Sequence, residues 1–371
     1  MLGILASWPP LGSIAVCAAD ERGGVVEEPL DPDPPRPRRT LAAAPTPAAT
    51  PAGGPWGTVE LLRRSIAPGE KRRLQFPTGG DFGDSPLDLP VLVVRGDRPG
   101  PTLCLTAGVH GDELNGVEIV RHVFEHAQPP ALAGMLVGLP IVNMHGFRRG
   151  VRYLPDRRDL NRYFPGRPTG STASRTAHAL FVEIIQYCDA LIDLHTGSLQ
   201  RTNLPQIRAD LAADGVRPLA LAFGVDVILD GVGPSGSLRG AAVTAGIPTI
   251  LYEAGEPLRF EDVEIERGVE GVRNVMVALD MIAGPAHPHN IPHVFRRTRW
   301  IRTNSGGIFR TDRRLGDRVG AGEVLGTVTD PITNERARIV APSAGRLVGM
   351  ATPQVVLPGF AVFHLGMDEE P

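Results

Sequence analysis

"TLCLTAGVHGDELNGVEIVRHVFEHA", residues 102–127, decides how the rest of the chain is read. It opens on a short apolar run, closes on apolar residues at helical spacing, and sets Gly108 and Gly111 between the two. That succession predicts a buried strand, a tight turn and a helix over 114–127, the repeating unit of an α/β sheet. The stretch also carries His-x-x-Glu twice: His110 with Glu113, and His122 with Glu125, the second extended by His126. Both spacings are compatible with a metal ion, so their settings must choose between them.

On a wheel of 100° per residue, Val117, Ile119, Val120, Val123 and Phe124 share one half of the predicted helix. Glu118, Arg121, His122, Glu125 and His126 fill the other half. That half reads as a charged, solvated face, poorly suited to a dry metal pocket. His110 and Glu113 stand instead directly after the strand, where the two glycines let the turn aim both side chains at one point.

The same texture continues on both sides. The runs "LPVLVV" (89–94), "LVGLPIVN" (136–143), "ALIDLH" (190–195) and "TILYEAG" (249–255) read as buried strands, alternating with helical patterns at 174–188 and 262–283. The alternation predicts a mixed, largely parallel sheet with helices on both faces, whose ligands gather beyond the carboxyl ends of the strands. "DALIDLHTG" places His195 at such an end, and Asp193, on the same face, can orient its imidazole. Two His and one Glu make the three-ligand set of a catalytic metal site that leaves one position for water. Glu253 ends the run "TILYE", where a carboxylate would serve as general base. Glu256 is the weaker candidate, because it lies past the Gly255 turn. The segment 143–166, "NMHGFRRGVRYLPDRRDLNRYFPG", reads as a long loop rich in Arg and Asp, suited to a substrate carboxylate and a developing oxyanion. His145 within it reads as a loop residue, and His178 as a structural residue of the helical segment 174–188.

Together "GVHGDE", "DLNRYFPG", "DLHTG" and "YEAGE", in that order across residues 57–284, resemble the succinylglutamate desuccinylase/aspartoacylase family, relatives of the zinc carboxypeptidases. The resemblance implies one zinc ion held by His110, Glu113 and His195, with Glu253 as base. It implies that Asn161 and Arg162 contact the substrate, and that an upstream Arg polarises the scissile carbonyl. Arg152, Arg157 and Arg158 are all in range; Arg152 is preferred because it keeps an Arg-Tyr pair, with Arg158 second. The implied reaction is hydrolysis of the amide bond of a small N-acyl amino acid or related N-acyl amine. Two alternatives stay open: a carboxypeptidase-like metallopeptidase acting on short peptides, and a non-catalytic, metal-supported binding protein.

The two ends of the chain differ from its middle. Residues 1–56 form a Pro- and Ala-rich leader expected to be disordered. Its apolar start has no basic residue before Arg22 and is broken by Pro9-Pro10, so it fits a signal peptide or a membrane span poorly, though an export signal stays the alternative. After residues 57–284, the expected catalytic domain, residues 285–293 read as a linker. Residues 294–371 read as a small all-β barrel with Gly turns that resembles a biotinyl/lipoyl domain. Such carriers need a lysine, and the chain's single lysine is Lys71, so carrier function is excluded.

A net charge of −3 gives no reason to expect nucleic acid or an anionic membrane as partner. The expected partner is a small N-acyl substrate, with a homo-oligomer left open. Cys17, Cys104 and Cys188 are odd in number and widely spaced; Cys104 and Cys188 read as packed core thiols. That usage points to a reducing, cytoplasmic location.

Overall fold

A computed structural model describes residues 57–77, 88–285 and 291–367. The predicted leader and the middle of the predicted linker lie outside the described residues. In chain order the strands are β1 (Val59–Leu61), β2 (Arg64–Ile66), β3 (Lys71–Phe76), β4 (Leu89–Arg95), β5 (Arg98–Ala107), β6 (Ala133–Leu139), β7 (Ala190–His195), β8 (Arg201–Ala209), β9 (Val227–Asp230) and β10 (Thr249–Gly255). The helices are α1 (Asn115–His126), α2 (Met144–Arg149), α3 (Thr172–Glu183), α4 (Val216–Phe223), α5 (Leu238–Thr244) and α6 (Asp262–Ala278). The remainder is all-β: β11 (His293–Phe295), β12 (Thr298–Arg302), β13 (Gly307–Arg310), β14 (Arg318–Val319), β15 (Val324–Thr329), β16 (Arg336–Val340), β17 (Gly345–Ala351), β18 (Val355–Val356) and β19 (Ala361–Met367).

The fold is mixed α/β, as the alternation of short apolar runs with helical patterns predicts. β6, β5, β7 and β10 lie side by side and parallel at the centre of one large sheet. Period-2 alternation sends successive side chains to opposite faces. Leu103, Leu105, Ile192, Leu194 and Ile250 pack with α1, α4 and α6 on one face. Cys104, Val137 and Leu191 pack with α3 and α5 on the other. Asp193 and His195 alternate with Ile192 and Leu194, and so share the second face.

β8 was not legible as a strand, because "RTNLPQIRA" carries too many polar residues for a buried run. It runs antiparallel beside β10 and also pairs with β17. Through β17, strands β19 and β12 of the C-terminal all-β region extend the central sheet. A second sheet, ordered β16-β15-β13-β18, lies in the same region. Phe309, Val328, Leu347 and Phe363 form its core.

Three local expectations are corrected. The segment 143–166 is not one loop: it contains α2 and a 3-10 turn at Leu160–Arg162, so His145 sits on a short helix. Asn143 caps that helix by accepting from the Gly146 backbone N–H, a signal hidden in "NMHG". The helix expected over 174–188 spans Thr172–Glu183 and gives way to a 3-10 turn. Finally, Cys104 and Cys188 are joined by a disulfide, with Cα atoms 5.8 Å apart, rather than forming two separate thiols. The pair meets because Asp189, next to Cys188, donates its backbone N–H to Thr102 and accepts from the Thr102 N–H. With that bond in place, cysteine usage no longer argues for a reducing compartment. Among the described residues, no helix is long and apolar enough to cross a membrane.

Candidate metal centre and active site

Three strand ends build the site. β5 runs into the turn that carries His110 and Glu113, β7 ends on His195, and Glu253 lies near the end of β10 as the register partner of His195. Gly108 takes a left-handed φ of +58°, which turns the chain out of β5. Gly111 lies against the backbone of α2; a Cβ there would sit 2.0 Å from the Gly146 carbonyl carbon. Both glycines foreseen for the turn are therefore needed, one for conformation and one for close approach.

His110, Glu113 and His195 are all buried, and one ligand atom from each lies within 4.8 Å of the others. Glu113 is the hub. Its Oε1 stands 2.8 Å from His110 Nδ1 and accepts from Arg152 Nη1 at 3.0 Å; its Oε2 stands 2.7 Å from His195 Nδ1. His110 Nδ1, although so close to that carboxylate, makes no hydrogen bond. The outer nitrogens are held from behind. His110 Nε2 lies 3.1 Å from Asp159 Oδ1, and His195 Nε2 lies 2.9 Å from Asp193 Oδ2. Thr106 in turn donates to Asp193 Oδ1 at 2.7 Å.

This donor set fits a divalent cation. Each imidazole has its far nitrogen against a carboxylate, which fixes ring orientation and leaves Nδ1 facing inward. Three carboxylates around two imidazoles form an acid excess that a cation would balance. Burial alone would push the Glu113 carboxyl up, but the charges of His110 and His195 outweigh it and hold the group well below the usual carboxylate range. Burial alone would lower His195; Asp193 and Glu113 overcome it and raise the imidazole instead. The proton favoured on His195 sits where a metal ion would otherwise supply the positive charge.

Around this cluster lies a cavity of about 190 Å³, bounded by His110, Glu113 and His195 together with Arg152, Asn161, Arg162, Arg201, Arg208, Arg239, Glu253 and Trp300 among others. Glu253 accepts from Asn203 Nδ2 at 2.7 Å and pairs with Arg208 Nε at 2.8 Å. Burial raises its carboxyl above the ordinary value, with Arg208 opposing the shift.

Of the residues singled out from sequence, Arg152, Asn161, Arg162 and Asp193 come together here with the three histidine and glutamate candidates. Arg152 is fixed between Glu113 and Asp159. The buried Asn161 accepts from the Leu238 backbone N–H, and Arg162 borders the cavity. Arg158 is not brought in: it pairs with Asp156, donates to Tyr163 and stays largely exposed. Glu256 is likewise outside the cavity lining and pairs with Arg259. Asp159, Asn203, Arg208, Arg201, Arg239 and Trp300 were missed. Asp159 stands inside "DRRDLNR", where only its neighbours looked informative, and the others depend on β8, on α5 or on the C-terminal strands.

The second His-x-x-Glu lies in water on the outer face of α1. His122 and Glu125 side chains are 40% and 59% exposed, against 4% and 2% for His110 and Glu113. Arg121 bridges Glu118 and Glu125 there, and His122 stands 3.5 Å from Glu118.

Comparison with known proteins agrees with the motif reading. Residues 99–279 match the succinylglutamate desuccinylase/aspartoacylase catalytic domain. The chain is 25% identical over 254 residues to the N-alpha-acetyl-L-2,4-diaminobutyric acid deacetylase of Halomonas elongata, covering 65% of this chain and 74% of that protein. A succinylglutamate desuccinylase/aspartoacylase crystal structure from Rhodobacter sphaeroides superposes with a TM-score of 0.72 at 25% identity, over 81% of this chain and 96% of that one. The product-bound ectoine utilization protein EutE (DoeB) of Ruegeria pomeroyi shares the fold, with a TM-score of 0.74 at 22% identity over 85% and 99% of the two chains. The catalytic-domain match, the deacetylase relative and the shared fold together support placing the chain with the succinylglutamate desuccinylase/aspartoacylase deacylases.

Proposed function

We propose that this protein is a zinc-dependent deacylase that hydrolyses the amide bond of a small N-acyl amino acid. The observation that carries the reading is the convergence of His110, Glu113 and His195 on one point, in the same buried cavity as the Glu253 carboxylate. His110 Nδ1, His195 Nδ1 and a Glu113 oxygen would hold the ion. A zinc ion held by these residues would supply polarisation of the scissile carbonyl and activation of water near neutral pH.

The chain's own groups do the rest. Glu253 takes a proton from the attacking water and returns it to the leaving nitrogen, so the products are a carboxylic acid and an amine. A carboxyl raised by burial suits both halves of that shuttle. Arg152, held flat against Glu113 and Asp159, places positive charge where the carbonyl oxygen becomes negative. Asn161 and Arg162 take the substrate carboxylate. In this reading residues 57–284 are the catalytic domain, residues 285–293 the linker and residues 294–371 a β domain that walls the cavity. A cavity of about 190 Å³ with Trp300 on its wall favours one amino acid over a peptide, and so a deacylase over a carboxypeptidase.

The test is turnover of a panel of N-acetyl and N-succinyl amino acids and of short peptides by zinc-loaded protein, with Glu253→Gln alongside. Release of free amine by the wild type and its loss in the metal-retaining variant is the expected result. Turnover of peptides only, or none of either, would remove the deacylase reading.

A further inference from the structure

The carboxylate of Glu253 is gripped at both oxygens by one neighbouring strand, β8. Its Oε1 accepts from Asn203 Nδ2 at 2.7 Å, and Arg208 Nε stands 2.8 Å from Oε2. Asn203 and Arg208 are five positions apart. Successive residues of a strand face opposite sides, so an odd spacing puts two side chains on opposite faces. Arg208 lies between Ile207 and Ala209, which pack with α1, α4 and α6 on the first face of the sheet. Arg208 therefore points to the second face, where Glu253, between Tyr252 and Ala254 of that same core, points too. On an unbroken strand Asn203 would point the other way, with Ile207.

A slip of register resolves the conflict. Glu253 pairs with Gln206 and Gly255 with Asn203, so two steps along β10 match three along β8. The extra residue falls at Leu204–Pro205, and proline, which has no N–H to give a ladder, is at home in such a bulge. The fully buried Gln206 closes it: its Nε2 donates to the Leu204 carbonyl at 3.1 Å and to the Val348 carbonyl of β17 at 2.9 Å. Beyond the bulge the phase of β8 is reversed, and Asn203 comes round to the face of Arg208. β17 leaves the room for it. Gly349 is the register partner of Asn203, and a Cβ there would stand 2.5 Å from Asn203 Oδ1.

Stability does not account for this arrangement. Asn203 Oδ1 is buried with no hydrogen-bond partner among the described residues, and Arg208 Nε meets Oε2 without hydrogen-bond alignment. A buried amide left half satisfied costs free energy, and a bulge interrupts the ladder. What they achieve is control of one carboxylate, whose terminal torsion is otherwise soft. A contact at each oxygen fixes the plane of the group and leaves lone pairs free for a proton.

We propose that the β8 bulge is a positioning device, through which Asn203 and Arg208 set the plane of the Glu253 carboxylate for proton transfer. This rests on the deacylase reading, in which Glu253 is the base. Asn203 and Arg208 are positioning residues that act through Glu253, and Gly349 of the β region makes room for the first of them.

The experiment measures kcat and KM of zinc-loaded wild type, Arg208→Gln, Arg208→Lys, Asn203→Leu and Gly349→Ala, each with and without Glu253→Gln. The substrate is whichever of N-acetyl-L-alanine and N-succinyl-L-alanine the wild type hydrolyses faster. Loss of either grip is expected to lower kcat about 10- to 100-fold with little change in KM or zinc content. Arg208→Lys recovers part of the loss. Gly349→Ala, whose added methyl group meets the end of the Asn203 side chain first, reproduces a smaller part of the Asn203→Leu loss. Within Glu253→Gln none of these changes lowers kcat further, because the group they position is gone. A raised KM at unchanged kcat, or equal losses with and without Glu253→Gln, would overturn the proposal.

Urea unfolding of the same proteins reads the grip without turnover. Arg208→Gln should lower the midpoint, since it strands a buried carboxylate, and adding Glu253→Gln should restore part of the loss. Such coupling in a protein that hydrolyses no amide would sink the deacylase reading and leave the grip standing. Midpoints that shift independently would overturn the grip itself. Circular dichroism of each variant separates these results from misfolding.

Discussion

Two copies of His-x-x-Glu lie twelve positions apart, and the molecule treats them oppositely. His110 and Glu113 follow a strand buried on both faces, and their turn is roofed by α2, Asp159 and Arg152. His122 and Glu125 point from the outer face of α1 into solvent beside Arg121. Residue identity and spacing are the same. What differs is what stands behind each imidazole: a largely buried carboxylate that orients it in one copy, solvent and an exposed ion pair in the other. A metal site is made by this backing as much as by its ligands.

The sharpest way to break the comparison is to remove one imidazole from each copy. His110→Ala is expected to lose the bound metal and with it all measurable turnover, whereas His122→Ala keeps one metal ion per chain by elemental analysis. The reverse outcome would move the site to the helix face and take the hydrolase reading with it. Next in size, Glu253→Gln should lower kcat by about 10²–10⁴ while metal content stays at the wild-type level. The pH profile carries the sign of the same group. With Glu253 as the proposed base, kcat/KM should be full above its folded pKa and fall as pH drops through it. Because burial raises that pKa, the acid limb should lie above the ordinary glutamate value of about 4.3, and it should vanish in Glu253→Gln.

The backing itself is tested by a smaller effect. Asp193→Asn keeps the shape behind His195 but removes the charge, and should weaken metal affinity about 10- to 100-fold in a chelator competition. An unchanged affinity would mean that the ligands alone make the site. The smallest effect belongs to the outer copy. Glu125→Ala, which removes one partner of an exposed i,i+4 pair, should leave turnover and the urea midpoint unchanged within error.

Much of this was legible without coordinates. The five apolar runs, the glycine turn after β5 and the alternating face of β7 are local patterns, and three of the runs, which become β5, β7 and β10, place site residues at strand ends. The wheel of α1 was enough to set His122 aside. Less of the substrate side could be read. Arg152 and Arg158 have similar neighbours in sequence, and only the fold of 143–166 around α2 turns the first inward against Glu113 and leaves the second with Asp156. β8 escaped notice because its polar residues serve the cavity and not the core, so it lacks the period that marks a strand. The disulfide escaped because 84 residues separate its cysteines, and only the approach of the chain before β7 to β5 brings them together.

The sequence by itself determined the α/β class, the family likeness, the candidate metal ligands and their place at strand ends, because those properties follow from short-range periodicity and contiguous motifs. Tertiary structure alone decided which arginine faces the His110–Glu113–His195 cluster, that Asp159 backs His110, that β17 joins β8, and that Trp300 borders the cavity beside Arg201. These contacts join residues tens to more than a hundred positions apart, through the fold of 143–166 around α2 and through strand pairing. No local pattern encodes such pairing, since register is settled only when the whole sheet buries its faces at once.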